Sequence, residues 1–146
     1  MPIPFIVGGL IAAAAAASGI ALYQFFKGDS APTVSYKYCN SVASKEKIKT
    51  IKQNIFETIE YLIKNHASFK IGETANPEAR AGNEDYASYK TMYLLCKSKN
   101  SSIIDELEAF FIDKYISNAK NQNQNRGSGG KMNINNPLFY LYIIVK

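Results

Sequence analysis

The sequence predicts an α+β fold, with an N-terminal transmembrane helix followed by a small sheet flanked by helices. Three observations carry this expectation. Met1 to Phe26 contains no Asp, Glu, Lys, Arg or His. Two later stretches repeat apolar residues at three- and four-residue steps, as amphipathic helices do. Between and after them lie short runs rich in β-branched and aromatic residues, which suit strands.

The predicted anchor is residues 1–27. Ile3 to Tyr23 is an uncharged run of 21 residues, and a helix crossing a hydrocarbon core of about 30 Å needs ~20 mainly apolar residues. Six of them are the alanines Ala12 to Ala17, so the drive into lipid falls on Ile3, Phe5, Ile6, Val7, Leu10, Ile11, Ile20 and Leu22. A cleaved secretory signal is the competing reading. No basic residue precedes the run, as such a signal normally requires, although Ala15-Ala16-Ala17 resembles a small-residue cleavage site. Small residues at Gly8, Ala12 and Ala16 recur every four positions, which lets helix backbones approach and points to self-association. Lys27, Lys37, Lys45, Lys47 and Lys49 all follow the span. The positive-inside bias therefore predicts a single-pass membrane protein with its C-terminal domain in the cytoplasm. Two cysteines, Cys39 and Cys96, fit two reduced thiols better than a disulfide framework.

Residues 28–33 (GDSAPT) form a polar linker, and residues 34–146 are the size of one ordinary domain. Val34, Tyr36 and Tyr38 alternate with polar residues as a short strand does. Ser44 to Asn65 reads as a helix capped by Ser44, with Ile48, Ile51, Ile55, Ile59, Leu62 and Ile63 facing inward. Phe69 to Gly72 reads as a strand, and Pro77 to Ala81 as a short helix begun by Asn76. Thr91 to Cys96 reads as an apolar strand. A second long helix is capped by Ser101 or Ser102, with Ile103, Ile104, Leu107, Phe110, Phe111 and Tyr115 inward. The Asn/Gly-rich segment 118–136 reads as a mobile loop, and Leu138 to Val145 as a strongly β-forming last strand.

Several chemistries are excluded. His66, the sole histidine, has no partners at zinc spacing. No G-x-S-x-G, phosphate-loop or G-x-G-x-x-G motif occurs. Cys96 lies in an apolar strand without a histidine beside it in sequence, which argues against a cysteine nucleophile. A net charge of +5 permits contact with nucleic acid or anionic lipid.

Phe69-Lys70-Ile71-Gly72-Glu73-Thr74-Ala75-Asn76-Pro77-Glu78-Ala79-Arg80 resembles the GIY-YIG nuclease superfamily, especially phage-type branches in which K-I-G replaces Y-I-G. In that family a strand ending in I-G leads through a Thr/Ser and Asn/Asp-Pro turn to a helix. This helix carries an essential arginine about ten positions after the Tyr or Lys. Lys70 and Arg80 have this separation. A later strand and a helix bearing a metal-binding glutamate in an L-E step resemble Thr91 to Cys96 and Leu107-Glu108. The likeness spans residues 69–118. It departs from the family in having Lys70 at the Y-I-G tyrosine and no G-I-Y strand directly before Phe69. The missing strand is left to Val34 to Tyr38 or, by a rearranged topology, to Leu138 to Val145.

The resemblance implies a site of Lys70, Arg80, Tyr86, Tyr89 and Glu108. Glu108 would hold Mg²⁺ or Mn²⁺, Arg80 would contact a phosphate, and Tyr86 or Tyr89 would lie near the reacting oxygen. Arg80 is one of only two arginines beside fifteen lysines, and its planar fork suits phosphate in a way lysine does not. The implied function is a membrane-anchored domain that binds or cleaves DNA. The alternative is a non-enzymatic membrane or virion component built on a degenerate form of the same fold.

Overall fold

The computed structural model describes residues 31–123 and 137–146. In chain order they form β1 (Thr33–Ser35), β2 (Asn40–Ser41), α1 (Ile48–Lys64), β3 (Phe69–Thr74), α2 (Pro77–Ala81), β4 (Thr91–Ser98), α3 (Ser101–Tyr115) and β5 (Phe139–Val145). One 3-10 turn, Lys45–Lys47, leads into α1, and another, Glu84–Tyr86, lies between α2 and β4.

The chain of the last strand, FYLYIIV, is buried at six of its seven positions. A run that apolar tolerates water on neither face, so it takes an interior place in the sheet. β5 pairs antiparallel with β3 on one side and with β4 on the other. β1 and β2 both add to the far edge of β4 in parallel. They are two pieces of one edge, interrupted where Cys39 N–H donates to the Tyr36 carbonyl at 3.1 Å. The outer edge of β3 is also covered. Asn121 bridges Phe69 in parallel, and the Asn123 side chain both accepts from Ile71 N–H and donates to its carbonyl, each at 2.9 Å. Residues 118–123 of the expected loop thus satisfy backbone groups that would otherwise invite another strand.

The sheet divides the core in two. On one face, α1 and α3 bury Ile51, Ile55, Ile59, Ile103, Ile104, Leu107 and Phe111 against Ile71, Leu95, Leu141 and Ile143. Tyr115 O–H donates to the Glu60 carboxylate at 2.8 Å and ties the two helices together. On the other face a smaller cluster, Ala81, Tyr86, Met92, Leu94, Tyr142 and Ile144, lies beneath α2 and its following turn.

The expected architecture is corrected in one major respect. The described structure is α+β with a mixed sheet and three helices, and among the described residues no helix is long and apolar enough to cross a membrane. Both long helices carry an exposed polar stripe, including Lys49, Gln53, Glu57 and Lys64 on α1 and Asp105, Glu106 and Lys114 on α3. A charged stripe of that kind is incompatible with lipid on all sides. The expected span and its small-residue face of Gly8, Ala12 and Ala16 lie outside the described residues. Single-pass membrane localisation with a cytoplasmic domain is therefore not supported, and it is withdrawn here.

Smaller corrections concern helix ends. Ser44 precedes the 3-10 turn without a side-chain capping bond. α3 is capped by Asn100, whose Oδ1 accepts from Ser102 N–H at 3.0 Å, rather than by Ser101 or Ser102. Phe110, expected inward, is 40% exposed, whereas Glu108 and Ile112 are buried. The inward stripe of α3 is rotated toward Glu108 relative to the expected one.

Candidate functional site

The path from β3 to the candidate site is set by short polar side chains. Thr74 Oγ1 accepts from Asn76 N–H at 3.0 Å, and Asn76 Oδ1 accepts from Ala79 N–H at 3.2 Å. Pro77 in the first turn of α2 has no N–H to leave unsatisfied. Asn83 Oδ1 then accepts from Asp85 N–H at 2.9 Å and starts the turn that delivers Tyr86. These residue types compete well for free backbone donors at helix starts and turns. The chain returns to the sheet where Lys90 N–H donates to the Val145 carbonyl at 2.7 Å.

One of the predicted residues, Tyr86, meets a tyrosine that sequence reasoning did not select, and the charges of two others, Arg80 and Glu108, act on the same phenol. Tyr142 on β5 sits opposite Gly72 on β3 and Leu94 on β4. A Cβ at Gly72 would meet the Tyr142 phenol, with the ring carbon Cζ at 2.5 Å. Gly72 is therefore the position that lets this ring lie flat against β3. The Tyr142 and Tyr86 hydroxyls are 2.5 Å apart, and their rings meet edge to face at 6.1 Å. Both are buried, at 1% and 5% exposure.

The charges of Arg80 and Glu108 are both felt at this phenol. Burial is the main force raising the Tyr142 pKa well above that of a free tyrosine, with Tyr86 and Glu108 adding to the rise and Arg80 opposing it. At neutral pH the phenol is therefore protonated and acts as a hydrogen-bonding group rather than a base. Arg80 is in the last turn of α2 and exposed, whereas Glu108 is buried within α3.

Lys70 and Tyr89 extend the cluster at its edge. The Lys70 ammonium lies 5.6 Å from the Tyr86 ring centroid. Tyr89 packs edge-on against Tyr86 at 5.5 Å, and burial followed by the neighbouring Tyr86 raises its pKa. The other tyrosine of β5 on this face, Tyr140, stacks edge-on with Tyr36 at 6.3 Å, and Tyr36 O–H donates to Glu78 on α2 at 2.7 Å. This latch fixes the short helix that carries Arg80. The sequence signal for Tyr142 was available in the alternation of Tyr140 and Tyr142 along β5, which places both on one face.

Glu108 is the predicted metal ligand. Among the described residues no group of three His, Cys, Asp or Glu side chains is arranged to hold a metal. One carboxylate is nevertheless compatible with Mg²⁺, which binds through one or two carboxylates and otherwise keeps water and substrate phosphate oxygens. A concavity of about 590 Å³ lies at the opposite end of β4, lined by Lys97, Lys99, Asn100 and Phe139 among others, and it contains none of the predicted residues. No family model, curated protein or solved structure matches the chain.

Proposed function

We propose that this chain is a GIY-YIG-like domain that binds a nucleic-acid strand beside Arg80 and Lys70 and cleaves it with Mg²⁺ or Mn²⁺ held by Glu108. The observation that carries this reading is the contact of Tyr86 with the Tyr142 phenol opposite Gly72 of the K-I-G strand, a phenol on which the charges of Arg80 and Glu108 also act. The position of β5 supports it further. This strand, one of the two segments to which the missing strand was left, pairs directly with the K-I-G strand β3.

Each side chain has a distinct task under this reading. Arg80 is exposed and offers a bidentate donor to a phosphate. Lys70 adds a second positive charge at the rim. The hydrogen-bonded Tyr86–Tyr142 pair holds the floor of the site in place. A divalent ion supplies charge neutralisation for the phosphate and a more acidic water.

The burial of Tyr86, Tyr142 and Glu108 favours a second reading, in which the same face is a non-enzymatic interaction surface. The two readings separate when the full chain is incubated with labelled single- and double-stranded DNA in Mg²⁺ or Mn²⁺, with chelator as control. Metal-dependent cleavage that falls at least ~100-fold in Arg80→Ala and in Glu108→Gln, both checked for folding, supports the nuclease. Cleavage surviving both substitutions overturns this site. Binding of neither DNA form, together with self-association, supports the interaction module.

A further inference from the structure

We infer that Tyr89, Lys146, Lys90 and Lys70 form a platform for an unpaired nucleic-acid strand, distinguishing single strands from duplex. This rests on the nuclease-like reading of the adjacent Tyr142 site and names the form of substrate it takes. The ends of three strands meet here. Lys70 is near the start of β3, Lys90 immediately precedes β4, and Lys146 immediately follows β5. Backbone bonds hold them together: Lys90 N–H donates to the Val145 carbonyl at 2.7 Å, and Lys146 N–H to the Ser68 carbonyl at 2.9 Å.

Cations and rings alternate across this end of the sheet. The Lys70 ammonium is 5.6 Å from the Tyr86 centroid, the Tyr86 and Tyr89 centroids are 5.5 Å apart, and the Lys146 ammonium is 4.9 Å from the Tyr89 centroid. The ion pair Lys52–Glu106 lies elsewhere, on α1 and α3. Glu84 and Asp85 precede Tyr86 on its turn and are exposed, and the lysine–ring contacts run from Lys70 through Tyr86 and Tyr89 to Lys146.

A basic strip with an accessible ring is the arrangement that holds unpaired strands. Lysines track the phosphates, and the ring stacks a base whose face is free. Tyr86 is too buried for this task, whereas Tyr89 is partly exposed. A duplex has no free base face to offer, so it gains only the charge contacts. Lys146 is held over the ring by a cation–π contact that a base can replace.

Fluorescence anisotropy of the full chain with labelled oligothymidylate, the matching oligouridylate and a DNA hairpin duplex tests this, without divalent metal and over a range of salt. The single strands are expected to bind about tenfold more tightly than the duplex. Tyr89→Ala should weaken single-strand binding about tenfold, and Tyr89→Phe should leave it nearly unchanged. Lys146→Glu should weaken it and make the salt dependence shallower by about 0.7 in log–log slope, one phosphate contact. Lys45→Glu, on the turn before α1, is the charge-matched control and should have a much smaller effect. Comparing the two single strands shows whether the sugar matters. Single-strand binding insensitive to both Tyr89→Ala and Lys146→Glu, or a duplex bound as well as the strand, overturns the platform but leaves the nuclease reading standing. Failure of the wild-type chain to bind any of the three oligonucleotides overturns both.

Discussion

The two faces of the sheet are built from different materials. Beneath α1 and α3 the contacts are almost entirely aliphatic and aromatic, and many side chains share the burial. Beneath α2 a much smaller cluster carries two phenols bonded to each other, with an arginine and a glutamate acting on one of them. The difference teaches where stability and chemistry reside. Apolar burial is non-directional and redundant, so the first face tolerates modest change. A buried hydroxyl pair is directional, and each partner depends on the other.

The largest expected effect comes from the first face. Phe111 is fully buried, and Phe111→Ala should lower unfolding free energy by about 3–5 kcal/mol in urea denaturation. Strand binding per folded molecule should stay the same. A loss of binding in the folded fraction would break the separation of the two faces.

Gly72→Ala probes the second face. Its new methyl group must displace the Tyr142 ring, at a cost of about 1–3 kcal/mol. Here the functional readout should suffer more than stability does, because the phenol pair and its neighbours shift together. Near-normal binding and cleavage in this variant would show that the Tyr142 position is not critical.

Alkaline pH acts on both faces. Burial pushes the Cys96 thiol up to about 12. Tyr115 is raised by burial and by its bond to Glu60, and Tyr142 by burial and Tyr86. A group with a raised folded-state pKa contributes stability that is fully present below its unfolded value and lost as pH rises toward the folded value. Stability should therefore be flat to about pH 8.5 and fall progressively above it, as thiol and then phenol groups ionise in the unfolded chain. Urea midpoints from pH 7 to 11 check this, and Tyr115→Phe should flatten the part of the fall above about pH 10.

The smallest effect concerns a helix end. Asn100→Ala removes the α3 cap and should cost about 1 kcal/mol, and Ser101→Ala much less. Equal effects at both positions would restore the serine cap expected from sequence.

Periodicity and punctuation made much of the fold legible. Isoleucines at three- and four-residue steps gave α1 its buried face, and Asn76-Pro77 marked the start of α2 because both residue types act locally. Neighbouring caps were less certain, since Asn100, Ser101 and Ser102 all carry suitable oxygens and only backbone geometry selects one. The site was legible in part. Lys70 and Arg80 lie ten positions apart on elements joined by a short turn, so their placement on β3 and α2 is set locally. The alternation along β5 shows that Tyr142 shares a face with Tyr140, but its nearness to Gly72 and Tyr86 was not legible, because it depends on pairing positions seventy residues apart.

The sequence by itself determined the long helices and the three long strands, since those choices rest on local spacing, capping and side-chain shape. The strand expected over Val34 to Tyr38 instead ends at Ser35 and resumes as Asn40–Ser41. The sequence also placed a lysine on β3 and an arginine on the helix that follows it. Only the tertiary structure decided that the last strand lies between β3 and β4, that Glu108 turns inward, and that Tyr142 meets Tyr86 over a glycine. These are outcomes of strand pairing and packing between distant segments. Their free energies depend on which surfaces are buried together, which no local pattern specifies.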